Sequence, residues 1–198
     1  MATYDLPASF KPVAASWGLQ KAGAQFKSPF NGRTQAIDYV AERWVFSCTL
    51  APQISYAAGQ MDAFANLMAG AVNKVRAGHP TRLVPTGSMR GSPTVQTTTA
   101  RGNATLSVLT TAGATLHMGD FIGCSGHLLQ VAQDCTANGS GVLVVPLVNR
   151  IRGVIAAGTA VVWDRPKTTF VCRSMVNAST HMPGYMEGIP LDFEEDWS

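Results

Sequence analysis

Between Trp44 and Leu50 the large apolar residues fall at every second position: Trp44, Phe46, Cys48 and Leu50. Side chains of an extended chain point alternately to its two faces, so this period of two commits the segment to a strand with one buried face. Ahead of it, Phe30-Asn31-Gly32-Arg33 is a turn signal. Asn-Gly readily takes the left-handed backbone conformations that a tight connection between strands needs. Ala24-Gln25-Phe26 precedes the turn, and Thr34, Ala36, Asp38 and Val40 follow it, so the first third of the chain reads as a hairpin. Ala51-Pro52 then breaks the second strand.

The period changes after the break. Met61, Phe64, Leu67, Met68, Ala71, Val72 and Val75 recur at steps of three and four, which predicts one long helix over about residues 57–75. Ser55 is placed to cap it. Asp62 lies early and Lys74 and Arg76 late, as the helix dipole favours, and Gly78 and Pro80 close it. Before the hairpin, residues 1 to about 20 read as an extended arm. Pro7 and Pro12 oppose a helix there, and Trp17 is its one large apolar anchor.

Arg82-Leu83-Val84-Pro85 reads as a short strand. The Gly/Ser/Pro-rich stretch from Thr86 to Pro93 then marks a boundary. Beyond it short β-like runs alternate with turns: 94–98, 104–110, 121–124, 127–133, 142–147 and 159–163. This spacing suggests a small barrel or sandwich of about 70 residues, in size an OB-like barrel. Thr169-Phe170-Val171-Cys172-Arg173 returns to the first domain. From Asn177 on, Gly, Pro and scattered aromatics (Tyr185, Phe193, Trp197) describe a tail that docks on a folded body. The fold class expected is therefore mainly β with one long helix, an α+β arrangement. Residues 1–88 plus 165–198 form one domain and residues 89–164 a domain inserted into it.

Composition narrows the function. Of 198 residues 46% are apolar and only 14% charged, which is ample material for a core and fits surface buried against partners. The net charge of +3 is not concentrated in any Lys/Arg run, and no aromatics interleave with bases, so nothing points to specific nucleic-acid binding. No run of about 18 apolar residues suggests a membrane span, and the first residues do not resemble a signal peptide.

No catalytic, cofactor-binding or metal-ligating residue is predicted. His79, His117, His127 and His181 are not at metal-ligand spacings. Cys48, Cys124, Cys135 and Cys172 form no CxxC pair and read as small buried hydrophobes. A Cys124–Cys135 disulfide is disfavoured, because a turn at Ser125-Gly126 puts the two out of register. Gly123-Cys124-Ser125-Gly126-His127 is not a nucleophile elbow, since the motif is not GxSxG and no helix follows. Glu194, Glu195 and Asp196 read as a solvated acidic run.

Residues 26–52, the helix segment 58–78, and the β-rich stretches 116–131 and 144–158 together resemble the distal tail proteins of tailed bacteriophages. The resemblance spans about residues 20 to 175. It rests on Ser28-Pro29-Phe30, Gly32 and Gln35, followed by Trp44, Pro52 and a helix. It implies a β-sandwich domain, flanked by the helix, that assembles into a ring, commonly a hexamer, with the OB-like barrel projecting from it. It implies a homo-oligomer contacting tail tube, tail hub or tail fibre proteins at the baseplate, a place in the virion tail after assembly in the host cytoplasm, and no enzymatic activity. Two other readings stay open: a glycan- or peptide-binding barrel, and a small hydrolase using Cys124 or Ser125 with His127.

Overall fold

The structure is a computed structural model that describes residues 1–7 and 12–197, with Ser55 described by its main chain alone. The expected cap by the Ser55 side chain thus lies outside the described residues. In chain order the elements are β1 (Thr3–Asp5), β2 (Pro12–Lys27), β3 (Thr34–Leu50), α1 (Ser55–Met68), β4 (Lys74–Ala77), β5 (Thr94–Val95), β6 (Thr105–Leu109), β7 (Thr115–Leu116) and β8 (Phe121–Cys124). There follow β9 (His127–Gln130), β10 (Cys135–Thr136), β11 (Val142–Pro146), β12 (Val161–Val162), β13 (Thr168–Cys172), β14 (His181–Met182), β15 (Tyr185–Met186) and β16 (Pro190–Glu195). The protein is mainly β with one α-helix.

Two compact units divide the chain. One comprises Met1–Gly18, Arg43–Pro80 and Lys167–Ser198, the other Leu19–Glu42 and Thr81–Pro166. The inserted segment therefore runs 81–166 rather than 89–164. The distal part of the β2–β3 hairpin, residues 19–42, clusters with it.

In the first unit a single six-stranded sheet has the order β1-β4-β13-β16-β3-β2. Among the described residues, the other sheet of this unit is the two-stranded β14–β15 hairpin, not the second large sheet that a sandwich requires. The period-two reading of β3 holds: Trp44, Phe46, Cys48 and Leu50 are all buried. Phe46 faces Phe193 directly across the β3–β16 ladder, with ring centroids 6.0 Å apart and nearly parallel. Trp17 of β2 closes the cluster, 5.7 Å from Trp44, 5.5 Å from Phe46 and 5.5 Å from Phe170. The N-terminal segment is thus part of its own sheet, with β1 parallel to β4 and β2 at the opposite edge.

The helix is shorter than its periodicity suggested. It buries Met61, Phe64, Ala65 and Met68, then stops at Met68. Gly70 takes a left-handed φ of 78° and donates its N–H to Ser174 O, while Asn73 Nδ2 donates to Leu67 O near the helix end. Val75, expected on the helix, is instead a buried residue of β4, as is Ala77, with exposed Arg76 between them. Two spacings coincide here: Met68, Ala71, Val72 and Val75 satisfy a helix, and Val75 and Ala77 equally satisfy a strand, which tertiary pairing with β13 selects. Asp62 lies in mid-helix, not in its first turn.

The acidic tail is built into the sheet. Glu195 is 1% exposed, accepting hydrogen bonds from Trp44 N (3.1 Å) and Thr168 Oγ1 (2.8 Å). Glu194 pairs with Arg43 (2.9 Å) and Arg173 (3.3 Å), and Asp196 with Lys74. The expectation of a solvated run fails because β16 lies between β3 and β13, where alternate residues have no choice of face.

In the second unit the described strands form three small sheets, β11-β6-β5, β12-β8-β9 and β10-β7, and no closed barrel. The strands span two to five residues and are broken by turns, too short to carry a continuous ladder around a barrel. Their inner faces share a core of Leu106, Val108, Leu116, Ile122, Leu129, Val131, Leu143, Val145 and Ile151, in which Leu143 opposes Val108 and Val145 opposes Leu106. Leu83-Val84 is exposed and not a strand.

The Thr86–Pro93 stretch is tightly fixed rather than a loose boundary. Asp120, 5% exposed, accepts hydrogen bonds from Thr86 N (2.8 Å), Thr86 Oγ1 (2.9 Å), Gly87 N (3.1 Å) and His117 N (2.8 Å). A Cβ on Gly87 would lie 2.1 Å from Thr115 O, so only glycine fits. Met89 is wholly buried in the unit's core.

Candidate assembly surface

The β2–β3 hairpin is the longest feature of the fold, with strands of 16 and 17 residues. Its connection spans Ser28 to Arg33, wider than a two-residue turn. Gly32 has φ 67°, Ser28 N donates to Arg33 O, and Asn31 Oδ1 accepts from Arg33 N at 3.0 Å. An Asx turn of this kind is what Asn-Gly supplies. From Thr34 to Tyr39 every residue of β3 is exposed. Large apolar side chains therefore stand in water: Phe30 is 97% exposed, Phe26 58% and Tyr39 52%. Single exposed apolar residues are ordinary, but several along one hairpin mark a surface suited to association.

Polar contacts fix the same hairpin within the second unit. Arg150 donates its main-chain N–H to Glu42 Oε2 (2.7 Å) and its guanidinium to Asp38 Oδ2 (2.5 Å). Lys21 Nζ lies 3.7 Å from Glu42 Oε1. Glu42 is 5% exposed, so the main-chain bond and the lysine compensate a carboxylate that would otherwise be costly to bury.

Cys124 and His127 are directly opposed across a hairpin turning at Ser125-Gly126, where both residues have positive φ. That pairing places them on one face of the hairpin. No hydrogen bond joins their side chains. Burial pushes the Cys124 thiol up to about 11, which keeps it protonated and non-nucleophilic at neutral pH. Burial, with the Arg152 charge, lowers His127 to about 4, and its Nδ1 is buried without a partner. All four cysteines are free, with Cys48, Cys124 and Cys172 buried.

The depressed His127 value has a consequence for stability. The unfolded chain takes up the proton at an ordinary histidine pKa of ~6.5, and the folded one resists it until about 4. Stability is therefore full above about pH 6.5 and falls as pH drops towards 4. Urea midpoints at pH 7.5 and 5 are expected to differ in wild type and to differ less in His127→Gln.

Among the remaining histidines, His117 Nδ1 is 3.3 Å from Asp134 Oδ2, and the His79 ring packs on Trp17 at 5.4 Å. His181 enters a grouping that sequence spacing did not reveal. Ser179 Oγ is 2.7 Å from Asp62 Oδ1 and 3.0 Å from His181 Nε2, fastening the C-terminal segment to α1. The hydroxyl stands between acid and imidazole, so the histidine does not sit between them as a charge-relay base would. Among the described residues no three His, Cys, Asp or Glu side chains converge as metal ligands, and no helix is long and apolar enough to cross a membrane.

No protein-family model matches the chain, and no curated protein matches it in sequence.

Proposed function

We infer that the chain is a structural subunit of a bacteriophage tail, assembling with copies of itself into a ring at the tail tip or baseplate and joining tube to tip or fibre proteins. The observation that carries this reading is the β2–β3 hairpin, whose long strands keep Phe26, Phe30 and Tyr39 in water. The motif resemblance of residues 26–52 and 58–78 supports it. A ring needs each subunit to bury surface on two neighbours, and a sparsely charged chain with apolar side chains on one hairpin is suited to that. A hexamer is the form the resemblance favours.

Native mass spectrometry of the purified chain, with peptide mapping of purified virions, tests the reading. A closed oligomer and its presence in tails are the expected results, whereas a strict monomer absent from virions would overturn it. Phe30→Ser is expected to leave the thermal midpoint of the dissociated subunit unchanged within about 1 °C, because its side chain is 97% exposed and has no contact within the subunit to lose. The same substitution should shift the population towards monomer in sedimentation velocity.

A further inference from the structure

We propose that the second unit carries an oxyanion-binding groove beside Arg90, taking a phosphate or carboxylate group of a small ligand. Two adjoining clefts of ≈ 250 and ≈ 280 Å³ share Arg90, Gly91 and Thr111 in their walls. Ser92, Thr94 and Thr110 complete the polar part of the first. No acidic residue lines either cleft.

The arginine is pre-positioned. Its Nη1 donates to Gly87 O (2.9 Å) and Met89 O (2.6 Å), its Nη2 to Pro85 O (3.1 Å). The guanidinium lies 5.0 Å from the ring centroid of Trp163, whose Nε1 is in turn fixed to Gly91 O at 2.8 Å. Among the described residues every partner of this cation is a neutral carbonyl or a π face, and no carboxylate neutralises it. Of the five N–H donors of a guanidinium, Nε–H and one on Nη2 remain free.

Two further donors at the groove have no acceptor within the described protein. The main-chain N–H groups of Gly91 and Ser92 donate no hydrogen bond, and Gly91 has the left-handed φ of 81° typical of main-chain anion nests. The surrounding unit carries nine Lys and Arg against five Asp and Glu, so its field also favours an anion.

The test is calorimetric titration of the full chain with inorganic phosphate, glucose 6-phosphate, glucuronate and neutral glucose. Saturable binding of at least one anionic probe is expected, weakening as salt rises, with no binding of glucose. The tightest probe identifies whether the anion is phosphate or carboxylate. Arg90→Gln should abolish binding. Because Arg90 also braces its loop, Arg90→Lys is the second variant: it keeps the cation but not the guanidinium fork, and it should weaken binding about tenfold while the fold persists. Absence of binding by every anion, equal binding of glucose, or affinity unchanged in both variants would overturn the proposal.

Discussion

Phe46→Asp is expected to yield no folded protein, read as loss of the near-ultraviolet circular dichroism and of soluble expression. Phe46 is 3% exposed and contacts the rings of Trp17, Phe170 and Phe193. Removing a buried aromatic ring costs about 3–5 kcal/mol. Burying an unpaired carboxylate in its place adds several kcal/mol more. Together these are comparable to the ~5–15 kcal/mol by which a domain is stable. Lys27→Ala and Arg33→Ala, at exposed hairpin positions, serve as controls and should fold as wild type. Soluble, cooperatively unfolding Phe46→Asp protein would show that the six-stranded sheet does not pack as described.

The second large effect is expected at Asp120. Asp120→Ala leaves the N–H groups of Thr86, Gly87 and His117 and the Thr86 hydroxyl without their acceptor. Each such loss is worth about 1–3 kcal/mol where water cannot replace it, so a destabilisation of about 3–5 kcal/mol is expected from urea unfolding. Burial raises the Asp120 carboxyl, but the hydrogen bonds from His117, Thr86 and Gly87 outweigh it and hold the group below its ordinary value. A depressed carboxylate stabilises the fold above its unfolded pKa of ~3.9, and the contribution is lost as pH falls through the folded value. Wild type should therefore lose more stability than Asp120→Ala on acidification below about pH 4. An Asp120→Ala midpoint equal to wild type at neutral pH would refute the anchoring role.

These two positions show how differently sequence and structure inform the same chain. Phe46 was legible because alternation through Trp44, Cys48 and Leu50 is a local property. Asp120 was not, because its partners at Thr86 and Gly87 lie some thirty residues earlier, and no spacing rule links an acid to a distant main chain. The same holds for Ser179, His181 and Asp62, which the fold gathers from α1 and a loop more than a hundred residues apart. The proposed groove at Arg90 likewise depends on Trp163, far along the chain.

Misreadings of the sequence had physical causes as well. Residues 68–77 satisfy two periods at once, and the left-handed Gly70 together with pairing of β4 to β13 decides for a strand after Met68. The acidic run 194–196 has the composition of a solvated tail, yet its central residue, Glu195, is buried by its place between two neighbouring strands. Short β-runs in residues 94–163 were mostly located, but composition does not say which strands share a ladder.

By itself, the sequence determined that this protein is mainly β with one helix, that one face of β3 is core, and that chain reversal occurs around Asn31-Gly32. Each follows from neighbours within a few residues, where backbone stereochemistry and hydrophobic burial act locally. Only the tertiary structure decided that β16 completes the sheet, that three small sheets replace a barrel, and that Asp120 locks the Thr86–Gly87 loop. Those outcomes depend on hydrogen-bond partners distant in sequence, and a main-chain N–H donates to any acceptor that packing brings within reach.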